Sequence, residues 1–181
     1  MKLLLHCCCS VCSIETIKAF EKNSEITLFW FNPNIHPYTE YKNRLNSLEK
    51  YKDFLNLKLI VEDFYGLRFF IKGLNNNFKD RCFFCYYIRL KKTAEVAKKN
   101  GFSYFSTTLT FSPFQNHELI KKAAEEVFKE FNVLFLYKDL TGVFKKGINT
   151  AKKTGHYMQK YCGCIFSEEE RYLKNKGLNE V

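Results

Sequence analysis

Leu3-Leu4-Leu5-His6-Cys7-Cys8-Cys9-Ser10-Val11-Cys12 is an apolar run of strand length that ends in four cysteines. It reads as a short buried strand followed by a helix that Ser10 or Ser13 can cap. In open α/β sheets ligands gather beyond the carboxyl ends of the strands, so thiols placed there stand where chemistry is usually done. Two further pairs, Cys82 with Cys85 and Cys162 with Cys164, bring the total to 8 cysteines.

Working outward, Ser13–Lys22 has helical spacing, and Ile26–Phe31 is a β-rich run closed by Asn32-Pro33-Asn34. Tyr38–Leu55 reads as a helix and Leu57–Val61 as a third strand. This βαβαβ order implies a parallel sheet flanked by helices, an α/β fold. Glycines and asparagines break the periodicity between Asp63 and Asp80 into a loop or short helices. Cys82 and Cys85 then head a helix over Phe83–Asn100 that Gly101 ends. Its amino end favours thiolate over thiol. Tyr104–Leu109 is a fourth strand, His117–Phe131 a helix and Val133–Tyr137 a fifth strand. A basic segment over Lys138–Lys160 and a charged tail follow. No repeat or linker divides residues 1–181, so one domain is expected.

At 181 residues the chain is long enough to bury roughly 70% of its unfolded surface. It needs no disulfide staples. The opening apolar stretch is too short for a signal peptide, and no run approaches the ~18 residues of a membrane span. A cytoplasmic protein is expected, in which clustered thiols mean metal or redox chemistry rather than structural bridges. The net charge of +10 points to a polyanion such as nucleic acid. That charge is localised: Lys79–Lys99 carries seven basic and two acidic residues, and Lys138–Lys160 six and one. Both adjoin a cysteine pair, with Tyr86, Tyr87, Tyr157 and Tyr161 as stacking faces for an unstacked base. For any single lysine, a solvated helix face explains as much.

Two adjacent cysteines and a C-x-x-C pair supply four thiolates, which suit either tetrahedral zinc or an iron–sulfur cluster. Spacing alone does not choose, although Cys8-Cys9 on a strand end make an awkward zinc knuckle. Cys162-Gly163-Cys164 allows a strained, easily reduced disulfide, two further metal ligands, or simple packing. His6 reads as a core histidine at a strand end, and Cys7 as a buried small residue. Asn32, Asn34, His36, Tyr41 and Arg44 have the composition of a binding loop and the helix after it; turn formers and a solvated helix face would look the same.

Taken together, His6 to Cys12, Asn32-Pro33-Asn34-Ile35-His36-Pro37, Tyr41 with Arg44, Arg81-Cys82 to Cys85 with Arg89, Thr107-Thr108-Leu109 with Ser112-Pro113 and Asn116, and Tyr161-Cys162-Gly163-Cys164-Ile165-Phe166 resemble the QueH family of epoxyqueuosine reductases. The resemblance runs in order over nearly the whole chain. It implies a Rossmann-like fold of the nucleotide alpha-hydrolase group, without that group's phosphate loop. It also implies reduction of the epoxide of epoxyqueuosine at the tRNA wobble base, the last step of queuosine formation. Carried over residue by residue, Cys8, Cys9, Cys82 and Cys85 hold a [4Fe–4S] cluster, and Cys162 with Cys164 form a redox-active pair. Cys12 could hold an additional mononuclear iron, or zinc in purified protein, acting as a Lewis acid. Asn34, His36, Tyr41, Arg44, Arg81, Arg89, Thr108 and Tyr161 are candidate substrate contacts, with Tyr161 or His36 as proton donor. The partners implied are tRNA carrying epoxyqueuosine and an external electron donor, with no membrane and a monomeric chain. Three positions depart from the family's common pattern: Cys7 replaces an apolar residue such as valine, Val11 a frequent proline, and Met158 a frequent arginine. The alternatives that the cysteines and charge alone also fit are a zinc-dependent RNA-binding module and a sulfur-transfer enzyme acting on tRNA.

Overall fold

A computed structural model describes residues 1–173. Five strands, β1 (Lys2–His6), β2 (Glu25–Trp30), β3 (Lys58–Val61), β4 (Tyr104–Thr107) and β5 (Leu134–Phe135), form one parallel sheet of order β3-β2-β1-β4-β5. The first strand of the chain is therefore the central one. It is also where the winding reverses: the chain leaves β1 toward β2 and β3 and later returns on its other side as β4. In its register His6 lies between Phe29 and Thr107. The crevice between the carboxyl ends of β1 and β4 is the switch point at which such sheets bind ligands.

Helices cover both faces: α1 (Ser10–Phe20), α2 (Tyr38–Leu55), α3 (Leu67–Leu74), α4 (Arg81–Lys99), α5 (His117–Phe131), α6 (Phe144–Lys153) and α7 (Ile165–Leu173). Alternation along the strands divides the core. Leu4, Phe29 and Phe105 pack with Leu90, Ala94 and Ala97 of α4 and Ala123, Ala124 and Val127 of α5. The alanines let these two helices lie close together. Leu3, Leu5, Leu28 and Trp30 pack on the opposite face with Tyr41, Leu45 and Leu48 of α2. Each fully buried leucine contributes about 1.5–3 kcal/mol. No helix among the described residues is long and apolar enough to cross a membrane.

Several boundaries differ from the sequence expectation for physical reasons. The first helix begins at Ser10, and its cap is neither serine: the Cys9 thiol accepts the backbone N–H of Cys12 at 3.3 Å. Strand β4 stops at Thr107 because that side chain accepts the N–H of Leu109 and starts a tight turn over Thr108–Phe111. Strand β5 spans only two residues. The basic segment contains a helix, α6, whose Phe144, Ile148 and Ala151 turn inward while its lysines face outward. The tight approach of this helix needs Gly147, where a Cβ would lie 2.6 Å from the Phe111 ring. The charged tail is described only to Leu173, in α7; the rest lies outside the described residues.

Candidate active site

Cys8, Cys9 and Cys12 converge where β1 runs into α1. All three are buried, and their sulfurs lie within 4.8 Å of one another. This is the one such group among the described residues. The triad can hold a metal ion. Thr108, opposite β1 at the end of β4, organises the first ligand: its hydroxyl accepts the Cys8 N–H at 3.1 Å and donates to the Cys8 sulfur at 3.4 Å. Hydrogen bonds from Cys12 and Cys9 hold the Cys8 thiol well below its usual range, whereas Cys12 is pushed well up by giving its proton to Cys8. Burial pushes Cys9 up. One negative charge therefore settles on Cys8, and a metal would displace the protons of its neighbours.

Cys7 points the other way. It packs with Leu3, Leu5 and Trp30, burial pushes its thiol up to about 12, and it is a core residue. His6 is also structural, as expected. Its Nε2 faces the Phe31 carbonyl and Asn32 Oδ1, so the proton sits there and Nδ1 accepts from Thr107. Burial, followed by repulsion from Arg89, lowers its pKa to about 4 and keeps the ring neutral.

The second thiol group forms at the head of α4. Cys85 is buried in a small apolar cluster with Cys164, Phe70 and Leu74, while Cys82 is exposed. The expected depression of these thiols by the helix terminus is overturned. Burial pushes Cys85 up against the pull of Arg89; at Cys82 desolvation leads and the charges of Cys162 and Cys164 add to it. Cys162 is exposed and lines the main cavity, where Gln115 Nε2 donates to its sulfur at 3.3 Å. Cys164 is buried at the start of α7 and accepts the N–H of Ser167 at 3.4 Å. The two pairs named as cluster ligands are thus not drawn to one point; they stand on either side of a shared cation.

That cation is Arg89, 1% exposed. Its Nη2 donates to Cys85 Sγ at 3.0 Å and its Nε to the Cys85 carbonyl at 2.8 Å. Negative charge at Cys85, Cys162 and Cys8 all acts on it, and it has no carboxylate partner among the described residues. A buried guanidinium without a counter-ion costs several kcal/mol, so this site is built to carry thiolate charge. A second buried guanidinium, Arg44, lies beside Cys9 and Cys8 and pairs with Glu40 at 2.7 Å. Its two Nη groups donate to the carbonyls of Cys162 and Tyr161, each at 2.9 Å, and so fasten the last cysteine pair over the site. Tyr161 donates to the His36 carbonyl at 2.6 Å, and the His36 N–H to the Gly163 carbonyl at 2.8 Å.

The cavity measures about 480 Å³ and is lined by the Cys8, Cys12 and Cys162 side, Arg44, Thr108, Tyr161 and an aromatic wall including Phe111, Phe114 and Phe144. Phe114 is 82% exposed at the mouth and meets Phe144 edge-on. Other sequence candidates do not line it. Tyr41 is a core residue, accepting from Trp30 and donating to Asp63. His36 packs on Tyr65 and Phe70 and is kept neutral, its pKa lowered to about 4 by burial. Asn34 is buried in the same loop. Arg81 pairs with Glu170, which does line the cavity. His36 is therefore no proton donor to the cavity, and the Tyr161 hydroxyl proton is already given to a backbone carbonyl. Gln115 and Gln159 were not singled out by the sequence. Neutral amides carry no motif, and their contact with sulfur is visible only in three dimensions.

Gly163 has φ +139°, and a Cβ there would lie 3.2 Å from Arg44 Nη1 and from Ile35 Cγ1. Gly163→Ala is expected to cost about 1–3 kcal/mol from the backbone alone and to shift the Cys162–Cys164 turn off Arg44. Thermal unfolding together with the alkylation rate of Cys162 checks it: a turn released from Arg44 reacts faster.

The comparisons with known proteins agree with this arrangement. The family model for epoxyqueuosine reductase QueH matches residues 3–170. A protein of Dehalococcoides mccartyi named epoxyqueuosine reductase QueH is 37% identical over 174 residues, covering 96% of each chain. Proteins of the same name from Staphylococcus epidermidis and Thermotoga maritima are each 31% identical, covering 99% and 96% of this chain and 81% and 93% of their own. Among solved structures, one described as a predicted subunit of tRNA methyltransferase from Methanocaldococcus jannaschii superposes with a TM-score of 0.55 at 14% identity, over 97% of this chain and 88% of its own, and so shares the fold. The matched span includes the triad, both arginines and the Cys162–Cys164 turn, and the chain belongs to the epoxyqueuosine reductase QueH family.

Proposed function

We propose that this chain, acting as one domain, is an oxidoreductase that converts epoxyqueuosine in tRNA to queuosine. The observation that carries the reading is a cavity with thiols on its wall and two buried arginines beside them, one without a carboxylate partner. Such a site stabilises accumulated thiolate charge, which a generic RNA-binding module does not need. Its donor set fits an iron–sulfur cluster on Cys8, Cys9, Cys82 and Cys85, the two pairs that flank Arg89. Cys12, inside the triad and facing the cavity, suits an additional iron beside it. Bound there, these groups supply one-electron steps and a Lewis acid for the epoxide oxygen.

The rest is done by the chain's own residues. Removing the epoxide oxygen takes two electrons and two protons and leaves an alkene and water. Cys162 and Cys164 as thiols can furnish both pairs in becoming a disulfide, which an external donor then reduces. Gln115 holds the Cys162 sulfur in the cavity, and Tyr86 holds Gln115 through a 2.9 Å hydrogen bond. Arg44 and Tyr161 fix the turn. The aromatic mouth accepts an unstacked base, and the +10 charge attracts the tRNA backbone.

Anaerobic protein should contain iron and acid-labile sulfide and convert epoxyqueuosine tRNA to queuosine tRNA with a reductant. Cys164→Ser is expected to keep iron and sulfide while losing turnover by at least about a hundredfold. Zinc without sulfide would replace this reading by the RNA-binding module, and a sulfur-containing product nucleoside by sulfur transfer. Full turnover by Cys164→Ser would remove the dithiol step.

A further inference from the structure

Gln159 lies between α6 and the Cys162–Cys164 turn and lines the cavity. Its amide has two unlike ends. Nε2 donates to Cys9 Sγ at 3.1 Å and reaches Cys12 Sγ at 3.6 Å. Oε1 is buried and has no hydrogen-bond partner among the described residues. An orphaned buried acceptor costs about 1–3 kcal/mol and asks for an explanation. The two ends of an amide have the same shape, so its orientation is decided by the partners. A thiolate can only accept a hydrogen bond. Once Cys9 and Cys12 are ionised, the NH₂ group must face them and the oxygen must take the opposite side. The charge state of the sulfurs thereby sets where the empty acceptor lies. The neighbouring polar group on this wall is already used, since Thr108 gives its proton to Cys8.

We propose that Gln159 is a positioning residue joining the thiolate centre to the substrate. Its Oε1 accepts a hydrogen bond from a hydroxyl or amine of the cyclopentane substituent on the modified base while its Nε2 donates to Cys9 and Cys12. The inference rests on the epoxyqueuosine reading and adds to it a named contact for the part of the substrate that distinguishes it from an ordinary guanosine. Two independent signatures follow. Hydrogen bonds donated to sulfur favour the more negative, reduced state, so losing them lowers the reduction potential of a bound centre. Losing the acceptor weakens binding of the modified base and leaves binding of the RNA backbone unchanged.

The test uses wild type, Gln159→Leu and Gln159→Glu, each loaded with iron and sulfide under anaerobic conditions. Affinities are measured for two anticodon stem–loop RNAs, one carrying queuosine and one guanosine at the wobble position, together with the midpoint potential of the centre. Wild type should prefer the queuosine RNA. Gln159→Leu should lose about fivefold of that preference and show a lower potential. Gln159→Glu, which keeps an acceptor but offers no N–H to the sulfurs, should keep the preference and still show the lower potential. A Leu variant with both properties unchanged, or with only one changed, overturns the joint role. Should the Leu variant fail to hold the centre, an unaltered potential in the Glu variant overturns it equally. Wild type that does not distinguish the two RNAs would remove the substrate reading itself, whatever the variants do.

Discussion

Cys9→Ser is expected to lose the metal centre and the turnover together while leaving the fold in place. Serine is a strong helix cap, so the N–H of Cys12 that now rests on the Cys9 sulfur keeps an acceptor, and α1 starts as before. What disappears is a soft thiolate ligand, for which a hydroxyl is a poor substitute. Iron and sulfide analysis, circular dichroism and a turnover assay on one preparation separate these effects: iron falls, helicity stays, product is absent. The neighbouring Cys7 is the control, because β-strand alternation puts it on the other face of the sheet among Leu3, Leu5 and Trp30. Cys7→Ala should retain iron and turnover and lose only the small packing contribution of one sulfur. Equal iron in Cys9→Ser and wild type would refute the ligand role.

Arg44→Met should have the largest effect on stability. Arg44 and Glu40 are both buried, and removing the cation leaves the carboxylate with only the Tyr157 hydroxyl. Breaking such a pair from one side costs about 3–5 kcal/mol, or roughly 10 °C in midpoint for a chain of this length. The carbonyls of Tyr161 and Cys162 also lose their donors. The double variant Arg44→Met with Glu40→Leu should recover much of the melting temperature, since no charge is left stranded. It should not recover turnover, because nothing then holds the last cysteine pair. Recovery of both would show that the arginine serves the fold alone.

The parts of this molecule that were legible in the sequence are those where one local pattern decides the outcome. Three leucines running into cysteines could only be a buried strand, and the 18-residue helix α2 was bounded correctly because its apolar spacing stops at Asn56, which adopts the left-handed conformation that closes it. Helix α6 escaped because lysines outnumber its few inward residues. At the site, the thiols were legible by their type. Their grouping was not: Cys12 joins Cys8 and Cys9 through one helical turn, and Cys164 joins Cys85 through tertiary packing. Tyr41 and His36 looked like contacts, yet both are spent on structure, Tyr41 between Trp30 and Asp63 and His36 as a backbone brace for Gly163. Arg89 gave no local hint of its environment, since a mid-helix arginine is normally a surface residue.

The hydrogen bonds around the thiols also set an order of events in time. Gln159 meets Cys9 across 150 residues of chain and Arg44 meets Cys162 across 118. On the ribosome, Cys8, Cys9 and Cys12 are therefore among the first residues to emerge and among the last to be enclosed. Contacts of such long range form late, after most of the loop entropy has been spent. Through that interval the thiols stand open to oxygen and to stray metal, and the strand that carries them is an unpaired edge until β4 arrives. The arrangement that buries the centre so well in the finished protein makes the nascent chain the stage at which it is most easily lost.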